Sequence, residues 1–268
     1  MTTTYIKELS IQVNLSGLSF CILNRTENTI EYLDSISFGS KLTPYKVLET
    51  LKEHLSTNTV FSDTFSSVNV IHHNELSTLV PKPLFKEENS ADYLKFNSKI
   101  LKTDFLSHDE IAINDSINVY VPYVNVNNYI YETFGEFIYK HTSTILIDTL
   151  LQKNENTQGK KVYINVNQGS FEILVIDDGK LLLYNSFDYS TKEDFIYFVL
   201  FNFEQLQLDP ESVPVEVFGT ISESDENFEI LYKYVRHVSL IDQNMSYKTN
   251  EDIEQQDLDK HFYLLNSF

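Results

Sequence analysis

The dipeptide Val13-Asn14, at the end of one apolar strand pattern, recurs as Val166-Asn167 at the end of another. The strand patterns that follow, Phe20-Cys21-Ile22-Leu23 and Ile173-Leu174-Val175-Ile176, recur at the same distance, since 166 − 13 and 173 − 20 both equal 153. A fixed offset between patterned segments marks a duplicated supersecondary unit, and each copy must then bury its own apolar face.

The later copy is the fuller text. Val162, Ile164 and Val166 alternate with Tyr163 and Asn165, the period of two expected of a strand. Asn167-Gln168-Gly169-Ser170 turns, Phe171 to Ile176 predicts a second strand, Asp177-Asp178-Gly179 supplies a hairpin turn, and Leu181 to Phe187 a third strand. Ser190 with Glu193 predicts a capping box. The helix behind it is apolar almost all round, from Phe195 to Leu208, and so is expected to be buried. Asp209-Pro210 stops it, and Val213 to Ile221 predicts a fourth strand ending at Phe218-Gly219-Thr220.

The earlier copy reads in the same order: strands at Leu9 to Val13, Leu18 to Leu23 and Ile30 to Phe38, a helix opened by Thr43-Pro44 with a Val47, Leu48, Leu51, Leu55 stripe, and a strand at Val68 to Ile71. This half then carries more. Leu79 to Pro83 is extended, Asn89 to Phe96 a short helix, Glu110 to Ile113 and Ile117 to Tyr123 strands, Asn127 to Phe134 a helix ended by Gly135, Phe137 to His141 a strand, and Ser143 to Lys153 a helix. The polar run Asn154 to Gly159 reads as a hinge, giving a first lobe at 1–155 and a second at 156–268. After Ile221 come a helix bearing Phe228, Leu231, Tyr234 and Val235, a strand at His237 to Ile241, and a polar stretch from Asp242 to Asp252. A last helix, Ile253 to Leu265, could pack back on the first lobe.

Composition closes off several function classes. Twenty basic against thirty-nine acidic residues gives 20 − 39 = −19, and no Lys/Arg cluster interrupts the excess, which argues against nucleic acid and anionic lipid as partners. The single cysteine, Cys21, lies in an apolar strand pattern, so neither a disulfide framework nor a cysteine metal site is expected. No apolar run approaches the ~18 residues that cross a bilayer, and the opening residues, Met1 to Lys7, carry no signal or lipidation pattern, so the expected location is cytoplasmic. His72-His73 reads as a strand-end pair, because neighbours on an extended chain face opposite ways. His108-Asp109-Glu110 and Asp177-Asp178 read as turn residues. Tyr120, Tyr123, Tyr129 and Tyr131 are dense enough for some to reach the surface, and this segment or a strand edge is where self-association would be sought.

Order and duplication together resemble the superfamily of actin, hexokinase and Hsp70, an α/β fold of two ribonuclease H-like lobes. More narrowly, Leu181 to Phe187 with Glu193-Asp194-Phe195-Ile196-Tyr197, and Val121-Pro122-Tyr123 with His141-Thr142-Ser143, look like a Bacteroidota family, domain of unknown function 3822. That family resembles actin-like proteins of pilus assembly and secretion platforms, which implies a protein partner.

The superfamily resemblance supplies a chemical test. Its two phosphate loops each follow a strand and read Asp, any residue, Gly, the aspartates positioning Mg²⁺ or its waters. Here they read Gln12-Val13-Asn14 and Asn165-Val166-Asn167. An amide binds Mg²⁺ weakly beside a carboxylate and cannot act as a general base, and Asn lacks the backbone freedom of Gly. The adenosine turn, usually a glycine pair, has only Gly219. The expectation is a non-catalytic scaffold or protein-interaction module with a degenerate nucleotide cleft, with no catalytic residue, metal or cofactor. Two readings stay open beside it. One is a switch that binds ATP, with or without Mg²⁺, through Asn14, Ser16, Gly17, Asn167, Gln168, Gly169 and Gly219 without rapid hydrolysis. The other is a small-molecule kinase using Asp115 or Asp148 as base.

Overall fold

The computed structural model describes residues 5–242 and 247–268. The chain folds as two compact units: Met1–Leu146 with Met245–Glu254 and Tyr263–Phe268, and Ile147–Asn244 with Gln255–Phe262. In chain order, the first unit opens with β1 (Lys7–Asn14), β2 (Gly17–Asn24), β3 (Thr29–Ser37), α1 (Pro44–Thr57) and β4 (Ser67–His72). It continues with β5 (Ser77–Pro81), α2 (Ser90–Lys95), β6 (Ser107–Ile111), β7 (Ser116–Tyr120), α3 (Val124–Phe134) and β8 (Ile138–His141). Helix α4 (Thr142–Lys153) runs on into the second unit. There follow β9 (Lys160–Asn167), β10 (Ser170–Asp177), β11 (Lys180–Asp188), α5 (Lys192–Gln205), β12 (Val215–Gly219), α6 (Glu226–Tyr234) and β13 (Val238–Leu240). The chain ends with β14 (Lys248–Thr249), α7 (Gln255–Asp259) and α8 (Phe262–Leu265).

Among the described residues the first unit's main sheet runs β14-β3-β2-β1-β4-β8 and the second unit's β11-β10-β9-β12-β13. The shared order is a hairpin-joined antiparallel trio continued by parallel strands, so the duplication extends to topology. It also extends to defects. The β2–β3 ladder slips between Ile22 and Leu23, skipping Glu31, and the β10–β11 ladder slips between Val175 and Ile176, skipping Leu182. Both bulges lie 153 residues apart in the leading strand. Helices α1 and α5 each have fourteen residues and each begin after a threonine, Thr43 or Thr191, whose hydroxyl accepts the N–H three residues on. That bond satisfies one of the orphan donors of a helix start, worth about 1 kcal/mol.

Each main sheet buries its helix-facing side. In the first unit Leu9, Ile11, Val13, Phe20 and Ile22 meet Val47, Leu51 and Leu55 of α1. In the second, Val162, Ile164, Val166, Phe171 and Ile173 meet Phe195, Val199 and Phe203 of α5. Cys21 is fully buried, and burial drives its thiol pKa strongly upward. A small third sheet, β5-β7-β6, belongs to the first unit and covers its own core of Val80, Leu94, Ile117 and Val119. Among the described residues no helix is long and apolar enough to cross a membrane.

The structure corrects several expectations. The capping box of α5 is Thr191 with Asp194, one residue beyond Ser190 and Glu193. Helix α5 is not buried all round: Tyr197 and Phe201 are exposed, because a helix laid on one sheet has only one inner face. The final helix breaks into α7 and α8, with Lys260 and His261 between them. His108, Asp109 and Glu110 lie within strand β6 rather than a turn. Of the tyrosine group, Tyr131 reaches the surface while Tyr120 is fully buried. Part of the polar stretch before Asp252 falls on residues 243–246, outside the described residues, and the rest contains β14.

Candidate functional site

The two loops singled out in the sequence are the β1–β2 and β9–β10 hairpin turns, each closed by the pairing of its flanking residues, Asn14 with Gly17 and Asn167 with Ser170. In the first, the Asn14 Oδ1 accepts the Ser16 N–H at 2.8 Å, an Asx turn that fixes the loop from within. Gly17 is required by contact and not by φ: a Cβ there would lie 2.6 Å from the Ile36 carbonyl oxygen on β3. Gln12, on the strand leading into this loop, places its Nε2 3.4 Å from the His73 Nδ1.

The second loop is built differently. Gln168 is exposed, and Gly169 takes a left-handed φ of +77° that the turn requires. Asn167 buries its Nδ2 with no hydrogen-bond partner among the described residues. Asn165 is buried, and its Nδ2 donates to the Glu172 Oε2 at 2.9 Å, while the Tyr184 hydroxyl donates to Glu172 Oε1 at 2.8 Å. Gly219 is held against this strand at φ +93°, where a Cβ would come within 2.3 Å of the Val166 carbonyl oxygen and 2.5 Å of the Asn165 Oδ1. The structure therefore gathers Asn165, Asn167 and Gly219 on neighbouring strands of one unit.

In each unit the loop is preceded by an amide and not a carboxylate, and an amide binds Mg²⁺ weakly beside a carboxylate. Each of these amides already has a protein neighbour, His73 for Gln12 and Glu172 for Asn165. Among the described residues no group of three or more His, Cys, Asp or Glu side chains is placed to hold a metal ion. Asp115 lies at a left-handed turn position, φ +46°, ahead of β7, and Asp148 accepts from Gln152 one turn along its own helix at 3.0 Å. Neither lies on the hairpin loops.

Sequence reasoning missed a buried polar cluster in the first unit. His72 and His141 are register partners on the parallel strands β4 and β8, and both are buried. The Tyr123 N–H donates to His72 Nδ1 at 3.2 Å, so its Nε2 carries the proton and donates to the Asn127 Oδ1 at 2.9 Å. The Ser143 N–H likewise donates to His141 Nδ1 at 3.2 Å, and the His141 Nε2 donates to the Asn74 carbonyl at 3.0 Å. Burial lowers His72 to about 4 and His141 to about 3, so both are neutral. Asp109 accepts from the His141 backbone N–H, the Thr144 hydroxyl and the Tyr120 hydroxyl, and burial, partly offset by these bonds, raises its pKa. Asn118 donates to Ser143 and Thr144, both at 2.9 Å. The Ser143 Oγ lies 2.7 Å from the His141 Nδ1, yet Asp109 holds the His141 backbone amide instead of its imidazole and Ser143 is fully buried, so the three are not arranged as a catalytic triad open to substrate. The cluster ties the small sheet to β8 and the start of α4. Its one legible signal is Asn118 and Tyr120 in a strand otherwise reading as core.

Two ribonuclease H-like sheets of this order, joined in one chain, define an actin-like ATPase fold. A protein of that fold and of unknown function from Bacteroides thetaiotaomicron VPI-5482 superposes with a TM-score of 0.73 over 96% of this chain and 95% of its own, at 22% identity. A chain of the PilM–PilN type IV pilus biogenesis complex superposes with a TM-score of 0.63 over 96% of both chains, at 13% identity. By sequence the chain belongs to the family described as "Protein of unknown function (DUF3822)", whose model matches residues 1–238. No curated protein matches it by sequence. The Val121-Pro122-Tyr123 and His141-Thr142-Ser143 segments that carry the family resemblance meet at the His72–His141 cluster, which gives them a structural role.

Proposed function

We propose that this chain is a non-catalytic actin-like scaffold, a cytoplasmic protein-interaction module whose phosphate loops have lost their chemistry. The observation that carries the reading is the state of the two amides. Gln12 and Asn165 stand where carboxylates would be needed, and Asn165 is committed to a buried bond with Glu172. Likeness to a chain of the PilM–PilN complex supports a protein partner. With Mg²⁺-ATP, the purified chain is expected to release no phosphate above the protein-free blank; turnover of even one ATP per minute would overturn the reading.

One observation favours the nucleotide-binding switch as the second reading. The buried Asn167 Nδ2, at the end of β9 and without an acceptor among the described residues, could donate to an anionic oxygen without help from a metal. Saturable nucleotide binding that Asn167→Ala abolishes, with no turnover, would put the switch first.

A further inference from the structure

The duplication provides an internal comparison of sheet edges. In the first unit the edge strand β3 is covered: β14 pairs with it in parallel, Lys248 opposite Thr29 and Thr249 opposite Ile30. The Asn250 N–H and side-chain amide donate to the carbonyls of Ile30 and Glu31, both at 3.2 Å. In the second unit the equivalent edge strand is β11, and among the described residues no strand lies on its outer side. Lys180, Leu181 and Leu182 stand where Thr29, Ile30 and Glu31 stand, the third of each set being the bulged residue. The swap at that position is from a charged side chain to Leu182, which is 45% exposed.

An open edge strand with an exposed leucine is a template for another chain. Only part of β11 is open in this sense. The Asn185 Oδ1 accepts the Ser186 N–H at 2.9 Å, as Asp34 does for Ser35 at 2.8 Å in β3, so the far half of each strand consumes an edge donor within its own chain. A symmetric antiparallel pairing of two β11 strands would need that half, and it would bring together two chains of net charge −19. A short parallel addition at the bulged end needs neither.

We infer that the outer edge of β11, over Lys180 to Leu183, receives a short extended segment of a partner protein, added in parallel as β14 is added to β3. The segment sets an apolar side chain on Leu182 and carries Lys or Arg beside it, because Asp177 and Asp178 stand at the β10–β11 turn next to Lys180 and the chain as a whole has a net charge of −19. Its N–H groups reach the Leu181 and Leu182 carbonyls, the counterparts of Ile30 and Glu31. This deepens the scaffold reading and rests on it.

The test uses the full chain and a fluorescein-labelled peptide of alternating Lys and Val, six residues long, with a Glu and Val peptide as control. Anisotropy is expected to show saturable binding of the basic peptide only. Hydrogen–deuterium exchange is expected to show protection confined to residues 180–184. Leu182→Lys, at an exposed site that leaves the core intact, is expected to weaken binding about fivefold, the scale of a lost leucine contact, whereas Tyr197→Glu on the outer face of α5 leaves it unchanged. Three results would overturn the inference: no protection at 180–184 under saturating peptide, equal binding by Leu182→Lys, or a dimer of the free chain that Leu182→Lys dissolves, which would make a second copy the occupant. Failure here leaves the phosphate loops untouched, and those are read separately by nucleotide.

Discussion

Acid should unfold the first unit through two imidazoles. His72 and His141 are neutral and buried, at about 4 and about 3 instead of the ordinary 6.5. The folded state thus refuses protons that the unfolded chain accepts below 6.5. Stability is fully present above that value and is lost as pH falls towards the folded values. From pH 6.5 to 5 each histidine costs 6.5 − 5 = 1.5 pH units, or about 2 kcal/mol at ~1.4 kcal/mol per unit, and the pair about 4 kcal/mol. That is a large share of the roughly 5–15 kcal/mol that holds a domain together. Asp109 acts with the opposite sign: burial raises its carboxyl, so the folded state gains as pH falls through that value. The assay is urea unfolding followed by tyrosine fluorescence, which suits a chain of 17 Tyr and no Trp, at pH 7.5, 6 and 5 for the parent, His72→Gln and His141→Gln. The parent should lose about 4 kcal/mol between pH 7.5 and 5, and each variant, less stable at pH 7.5, should lose about half as much over the same range. A parent whose stability is flat between pH 7.5 and 5, or variants with the parent's slope, would refute the argument.

Two further substitutions probe the second loop. Asn165→Asp introduces the carboxylate that the resemblance would place there but sets it about 2.9 Å from Glu172; like charges at that distance should lower the melting temperature at pH 8 relative to pH 5 and produce no Mg²⁺-dependent nucleotide binding, as melting curves with Mg²⁺-ATP would show. Gly219→Ala combines φ +93° with backbone at 2.3 Å and should cost at least about 3 kcal/mol, whereas Gly39→Ala, at φ +70° with nothing within 4 Å, should cost about 1 kcal/mol; equal denaturation midpoints for the two would contradict the contact argument.

How far the sequence disclosed this fold depends on what kind of signal each element leaves. The 153-residue offset survives because β1 and β9 must each present Val and Ile to a helix, and that demand writes itself as alternation. Thr191 was missed by one residue because Ser190 and Glu193 satisfy the same capping rule on paper, and only the backbone decides between them. Strand β6, Ser-His-Asp-Glu-Ile, shows no apolar alternation, since its inward, half-buried residue is Asp109, held by hydrogen bonds from Tyr120, Thr144 and the His141 amide. Strand β14 owes its existence to the edge of β3 more than two hundred residues away, which no local pattern records. The amides at Gln12 and Asn165 were legible as departures, but the Glu172 that engages Asn165 was not, because a lone Glu inside an apolar strand has no partner until the ladder is formed.

The proposed loss of Mg²⁺-nucleotide binding at the β1–β2 and β9–β10 loops can be read in a melting curve. Binding to the folded state at 100 times Kd adds about 2.7 kcal/mol and would raise the midpoint by roughly 5 °C or more. With 5 mM ATP, ADP or GTP, each with and without Mg²⁺, the midpoint should stay within about 1 °C of the protein alone. A Mg²⁺-dependent rise of several degrees with any one nucleotide would overturn the scaffold proposal and put the nucleotide-binding switch first.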